Sequence, residues 1–426
     1  MKKRWGLGFT GILLVGILAG CGAAEQEEAS GTSTVETVEQ EQQGDNAAGE
    51  ATEIMAWHDN DDVMMNALAE IVNEKLKEEN IVLKFEKKSD VTGQIRLYGT
   101  DSKNGPDMYL FAHDSLGSFA EMGILEPVNN LISQEKQQDL LPMTIQAATY
   151  DGQQYLMPVY YETLLFLYNK ELWEGEVPST TEALYDYMVS HTDTSAGTYA
   201  LVNQHSNAYN ISPFIYGFGG FVINEEALPG LNDPATMEAI NYNKKFAALQ
   251  ADGDYNTVTA LFNEKKAAAI LGGPWLISGI KEAGISLGYK SLADFTLPNG
   301  NSLKPFSGVQ CLGVLKYAAE SKKEALVKVL EVLAEPEVGI RLAKDFNCAP
   351  ANMKAYEDTE VANNEMILVM KKTAEVAVPM PNVPEMGAMW GPSEAFFTAV
   401  NKAGEDVNTI AENYQNDALS AIADMK

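Results

Sequence analysis

Glu53-Ile54-Met55-Ala56-Trp57 and Ile81-Val82-Leu83-Lys84-Phe85-Glu86 bracket a stretch in which Asn66, Leu68, Ile71, Val72 and Leu76 recur at helical spacing. The first run reads as a strand, the middle as an amphipathic helix, and the second run, with Ile81, Leu83 and Phe85 alternating against Val82, Lys84 and Glu86, as another strand. The alternation continues along the chain. Asp107 to Ala112 is a short apolar strand opened by Gly105-Pro106, and Gln154 to Asn169 holds two apolar runs around Tyr160-Tyr161-Glu162-Thr163. Helices are predicted over Thr181–Val189, Pro234–Gln250, Lys322–Ala334 and Pro336–Phe346, and an Ala-rich strand over Ala267–Leu271. Strands separated by helices predict an α/β protein with mainly parallel sheets, whose ligands lie at the carboxyl ends of the strands.

The first 52 of the 426 residues have a different character. Lys2, Lys3 and Arg4 precede an apolar stretch from Gly11 to Leu18 and then Leu18-Ala19-Gly20-Cys21, the form of a secretory signal with small residues at the cut. The apolar stretch is well short of the roughly 20 residues that span a bilayer. The segment resembles a bacterial lipoprotein signal, which implies removal of residues 1–20, lipid attachment to Cys21 and tethering to the extracellular face of a Gram-positive cell membrane. Gly22 to Thr52 contains no aromatic residue, Lys or Arg. Such a composition buries too little apolar area to fold, so residues 21–52 read as a lipidated Cys followed by a disordered acidic linker with a reach of about 30 Å.

About 375 residues remain, more than a single core usually serves, so two lobes are predicted. The chain carries 30 Lys plus Arg against 60 Asp plus Glu; without the three basic residues of the signal, 27 face 60, a balance of −33. Charge of this sign repels phosphate and anionic lipid, and no basic stripe overrides it, so nucleic acid is excluded as a partner. A neutral or cationic ligand fits, and acidity also serves solubility. Besides Cys21 only Cys311 and Cys348 are present, too few for a disulfide scaffold; they pair or stay as buried thiols. The four His residues show no i, i+4 pair and the Cys no metal-ligand spacing, so neither metal nor cofactor is expected.

Chemistry is sought where strands run into loops. Phe111-Ala112-His113-Asp114 follows one strand, Glu162 lies in a loop or crossover, Tyr209 sits in a polar stretch before Pro213, and Gly272-Gly273-Pro274-Trp275 ends another strand. Pro379-Met380-Pro381-Asn382-Val383-Pro384 reads as a stiff loop running on to Trp390, which preorganises that ring for stacking. Each aromatic alone is accounted for by core packing. Several aromatics and carboxylates at strand ends together suit a carbohydrate, whose apolar faces stack on rings while its hydroxyls donate to carboxylates.

In order, Gly105-Pro106-Asp107 to Ala112-His113-Asp114, Pro158 to Lys170, Gly273-Pro274-Trp275 and Met380-Pro381-Asn382-Val383-Pro384 to Trp390 resemble segments of the maltose/maltodextrin-binding proteins, the solute-binding components of ABC sugar importers. The resemblance covers Glu53 to the C-terminus. It implies a two-lobed periplasmic-binding-protein-like fold with a hinge and an interlobe ligand cleft. Lobe one is 53–161 plus 309–357, and lobe two 162–308 plus 358–426. It implies that Asp114 and Glu162 hydrogen-bond glucose hydroxyls, that Tyr209, Trp275 and Trp390 stack on successive rings, and that Phe111 stands where the family has Trp. Asp62, beside Asp59 and Asp61, is a candidate for the family's acid after the first strand. Ser115 and Glu394 stand where the family has Arg, and Gly391 where it has an aromatic residue.

The function implied is capture of maltodextrin-type oligosaccharides by a monomer and delivery to membrane permease subunits, without catalysis. Retained stacking with altered polar contacts points to longer maltodextrins or cyclodextrins as readily as to maltose. A glycoside hydrolase is the rival reading, since Asp114 and Glu162 are two carboxylates in a glycan cleft. An adhesin or structural lipoprotein would fit the linker and leave the aromatics unexplained.

Overall fold

Ile54, Ala56, Trp57 and His58 are buried along the first strand, and the strand they form sets the frame for the rest. The computed structural model describes residues 51–249 and 253–425. The signal segment 1–20, Cys21 and all but the end of the 21–52 linker lie outside the described residues. Among those described, the strands of four or more residues are β1 (Thr52–His58), β2 (Ile81–Lys87), β3 (Met108–Ala112), β4 (Leu156–Thr163), β5 (Leu165–Asn169), β6 (Tyr199–Val202), β7 (Ala267–Gly272), β8 (Leu287–Lys290) and β9 (Phe306–Leu315).

They make two separate sheets. The larger has the order Ala349–Pro350, β4, β9, β3, β1, β2, with Leu125–Glu126 and Val378–Pro379 also pairing with β9; the smaller runs β8, β5, β7, β6. The alternating pattern predicted mainly parallel sheets, and both sheets are mixed. β1 is parallel to β2 and β3, but β9 is antiparallel to β3 and β4, and β5 is antiparallel to β7 and β8. The reason is topological. β4 carries the chain out of the larger sheet toward β5 of the smaller one, and β9 brings it back, so the two run in opposite senses side by side.

β4 and β9 are buried along almost their whole length, as continuous apolar runs require. Their register slips between Gln310 and Cys311, where Tyr160 faces Gln310 and Pro158 faces Cys311. Such a bulge accommodates Pro158, which cannot donate to a regular ladder. Around the smaller sheet pack the helices Thr181–His191, Ala208–Phe218, Pro234–Ala247, Met386–Asn401 and Val407–Ala423, sharing one core through Phe166, Phe214, Phe246, Phe396 and Phe397. All of these but Met386–Asn401 start at side chains that accept from free backbone N–H groups: Thr180, Asn207, Asp233 before Pro234, and Asp406.

Asp107 of the Gly-Pro-Asp segment is structural. Its carboxylate accepts from Met55 N–H (2.8 Å) and Lys322 Nζ (2.8 Å), tying β1, β3 and a helix together. That helix spans Lys316–Leu333 and not Lys322 onward as the sequence suggested. Lys322 is where it is interrupted (φ −130°, ψ 24°). Cys311 and Cys348 are both buried free thiols. No helix among the described residues is long and apolar enough to cross a membrane.

Candidate functional site

β1, β4, β9 and the segment after β7 all end at or cross one open cavity of about 1000 Å³. Asp59, Asn60 and Asp61 follow β1, Tyr160 and Glu162 come from β4, Gln310 from β9, and Trp275 with Lys281 from the far side. The site therefore lies between elements of the larger sheet and elements of the smaller one, where a ligand touches both.

Glu162 and Asp59 line this cavity, and Asp114, which is not on its wall, lies close enough to Asp59 to feel its charge. Burial pushes Glu162 up to about 7, with the neighbouring Asp59 charge adding and a hydrogen bond from Gln310 opposing. Asp114, in the short turn His113–Ser115 after β3, is pushed up to about 6 by burial, against the pull of backbone N–H groups at Asp114 and Ser115, with Asp59 again adding. Burial also raises Asp59 itself. Asp114 Oδ1 is buried without a hydrogen-bond partner, an acceptor that an incoming hydroxyl would satisfy. Tyr160 donates its hydroxyl to Asn60 Oδ1 (3.0 Å), which fixes the start of the cavity wall.

Two rings lie close to these carboxylates. Tyr209 feels the charges of Glu162 and Asp114, and burial drives its proton affinity up. Its ring is 6.0 Å from that of Trp275 in an edge-on arrangement (67°). Trp275 is 39% exposed, a large apolar surface facing the cavity. Gly273 makes this placement possible: a Cβ there would lie 2.1 Å from the indole.

The structure thus places Glu162 and Trp275 on the cavity wall, with Tyr209 and Asp114 behind it but near them, and it moves the other three expected residues. Trp390 is not on the proline-rich loop. The loop stops before Met386, and Trp390 stands in the helix Met386–Asn401, half-buried against the core of the smaller sheet. Met386, Met389, Ser393, Phe396 and Val400 are buried at helical spacing and hold that helix despite Pro392 within it. Phe111 sits at the end of β3 opposite Cys311, partly buried and packed into a core cluster, not on the cavity wall. Asp62 does not line the cavity either. Asp61 caps the helix Asp62–Lys75 and faces inward, whereas Asp62, about 100° further round the helix, approaches His58 Nε2 at 3.6 Å. Tyr209, read only as part of a polar stretch before Pro213, is in the first turn of Ala208–Phe218, and Glu162, expected in a loop or crossover, is on strand β4 itself.

Tyr160, Gln310, Tyr255, Lys87 and Lys281 line the cavity and were not singled out from the sequence. Gln310 carried a signal, a polar residue in the middle of the apolar run Phe306–Leu315. The others depend on long-range pairing. A second cavity of about 740 Å³, between the Val378–Val383 loop, the Tyr150 hairpin and residues 219–225, contains none of the expected site residues.

A two-sheet α/β chain with a polar and aromatic cavity between its parts has the form of a solute receptor. The profile of the bacterial extracellular solute-binding protein family matches residues 67–368, and the chain belongs to that family. Among its relatives, a maltotriose-binding protein of Pyrococcus abyssi (strain GE5 / Orsay) is 30% identical over 378 residues, 86% of this chain and 82% of the relative. The maltodextrin-binding protein MdxE of Bacillus subtilis (strain 168) is 31% identical over 383 residues, 80% and 88% of the two chains. A cyclo/maltodextrin-binding protein solved with maltotetraose superimposes with a TM-score of 0.75 at 25% identity, covering 89% of this chain and 98% of that one.

Proposed function

We propose that this chain binds maltodextrin-type α-glucans in the cavity of about 1000 Å³ and hands them, unaltered, to an ABC permease for import. The observation that carries the reading is that one cavity is lined by both Glu162, an acceptor for hydroxyls, and the exposed ring of Trp275, with Asp114 and Tyr209 close behind them. The names of the relatives support the same ligand class. The cavity exceeds what a disaccharide needs, so maltotriose and longer chains, or cyclodextrins, are the preferred ligands.

In this reading lobe one comprises 53–161 plus 309–357 and lobe two 162–308 plus 358–426. β4 and β9 then cross between lobes. A sugar that contacts both favours the closed arrangement and presents a closed surface to the permease. The protein acts as a monomer tethered to the extracellular face of the membrane through lipid on Cys21, as the lipoprotein-like signal and linker support.

A raised carboxyl is also what a glycosidase acid needs, and Glu162 has one. Here the raised carboxyls serve as acceptors for ligand hydroxyls, and binding without turnover follows. Intrinsic tryptophan fluorescence of the purified chain, titrated with maltose, maltotriose, longer maltodextrins, cyclodextrins and lactose, tests the assignment. Saturable changes with the larger α-glucans and none with lactose are expected; a flat response to every α-glucan contradicts it. Glucose released from maltotriose would favour the hydrolase.

A further inference from the structure

Of the residues of β9, Gln310 alone is not fully buried, and it lines the cavity of about 1000 Å³. Its place follows from the register. Tyr160 and Glu162 are two apart on β4 and so share a face of the sheet, and β9 sets Gln310 opposite Tyr160 and Gly308 opposite Glu162. Gly308 has no side chain to offer Glu162, so the long amide on the diagonal is what reaches that carboxylate from β9. The register slips immediately after Gln310, and a bulge re-aims the side chain beside it.

Gln310 donates to Glu162, while its Oε1 is buried with no partner among the described residues. A buried oxygen left unpaired costs folding free energy, and an apolar side chain would suit the rest of this strand. The amide therefore opposes the fold and favours only the charged form of Glu162. Other groups face the same carboxylate. Asp59 and Asp61 follow β1, Lys87 ends β2, Asp345 comes from the helix Pro336–Phe346 and Lys281 from Ile277–Glu282, all on the cavity wall. Asp114 shares the neighbours Asp59 and Tyr209 with Glu162. Tyr160, Tyr209 and Cys348 feel the Glu162 charge, and burial keeps all three protonated. Among the groups that act on Glu162, burial and Asp59 raise its proton affinity and Gln310 opposes them.

We propose that Gln310 is a positioning residue for ligand capture: donating from β9, it keeps the Glu162 carboxylate charged and turned to the cavity, ready to accept a sugar hydroxyl. This rests on the α-glucan reading of the cavity. It adds that a residue of the returning strand, and not Glu162 alone, sets the pH range over which sugar is held.

The test uses the full chain and Gln310→Met, which keeps the length of the side chain and removes both polar ends. The Glu162 carboxyl of the ligand-free protein, followed by NMR and assigned with Glu162→Gln, should titrate about one pH unit higher in Gln310→Met than in wild type. Maltotriose should bind Gln310→Met about tenfold more weakly than wild type at pH 7 and within about threefold at pH 9. The thermal midpoint at pH 5 should stay within about 3 °C of wild type. Gln310→Lys keeps a donor and should move the titration the other way. An unshifted Glu162 titration overturns the proposal, as does a loss of affinity by one common factor at every pH or a large fall in the midpoint of Gln310→Met, either of which would make the side chain merely structural. No binding of maltotriose by the wild type would overturn the glucan reading, and the carboxyl titration would still decide whether Gln310 holds Glu162.

Discussion

His113 Nε2 lies 2.9 Å from the carbonyl oxygen of Met380, and the other ring nitrogen accepts from Val309 N–H at 3.1 Å. Since Nδ1 accepts, Nε2 carries the hydrogen and donates to Met380. The fully buried ring thus joins three segments far apart in sequence: the turn bearing Asp114, the returning strand β9, and the proline loop that leads to the Trp390 helix. Burial lowers its pKa to about 4, against hydrogen bonds that pull it back up, so it is neutral in the folded protein.

His113→Ala leaves a buried N–H and a buried carbonyl unpaired, which costs about 2–4 kcal/mol. Urea unfolding at pH 8 measures it. The pH dependence has a definite sign. A His whose folded pKa is depressed contributes stability that is present above its unfolded value of about 6.5 and lost as pH falls toward 4. The gap in stability between wild type and His113→Ala should therefore narrow from pH 7.5 to pH 4.5. A gap that stays constant would mean the ring takes up its proton at the same pH folded as unfolded.

Asp114 and Glu162 behave oppositely. Their folded values of about 6 and about 7 exceed their ordinary values, so their contribution to stability is present below about pH 4 and lost as pH rises through 6 to 7. Hydroxyls donated by a sugar stabilise the ionised forms. Affinity for maltotriose is expected to fall at least tenfold between pH 8 and pH 5, with protons released on binding near pH 6.5. Calorimetry in buffers of different ionisation enthalpy reads both. Binding that neither weakens nor releases protons would remove these carboxylates from the contact.

Trp275→Ala removes the exposed ring while leaving the core intact, and should cost sugar binding about 1.5–3 kcal/mol, ten- to a hundredfold in Kd, with little change in thermal midpoint. Gly273→Ala should reproduce part of the loss, because its Cβ would push the indole aside. Equal affinity in both variants would show that the ring is not a platform.

Much of this fold was legible because apolar runs and periodicity are local. β1, β2, β3 and β7 were read close to their observed bounds, whereas Tyr160–Thr163, read as lying between two apolar runs, belongs to β4. What escaped was non-local or masked by proline. The segment of Tyr209 was read only as a polar stretch before Pro213, and Pro379, Pro381 and Pro384 made the chain up to Trp390 look like a loop, although Asn207 in one case and the Met386, Met389, Phe396, Val400 stripe in the other were helical signals. The antiparallel placement of β9 follows from where the chain has been, which no window of sequence contains. Likewise the three neighbouring aspartates 59, 61 and 62 are indistinguishable by type; only the helix starting at Asp62 turns that one away from the cavity.

Cys311 and Cys348 should react with maleimide only after unfolding, since burial holds both thiols well above their usual pKa. Peptide mass spectrometry of protein labelled with and without urea checks this; labelling of either in native protein would indicate local opening.

The central claim is that one α-glucan chain is held, unaltered, between the carboxylates Asp114 and Glu162 and the rings of Tyr209 and Trp275. Calorimetric titration of the full chain with maltotriose tests it most directly. A saturable heat at one sugar per chain, absent with lactose and with maltotriose recovered intact, is the expected result. No saturable heat with any α-glucan, or glucose appearing in the cell, would contradict it.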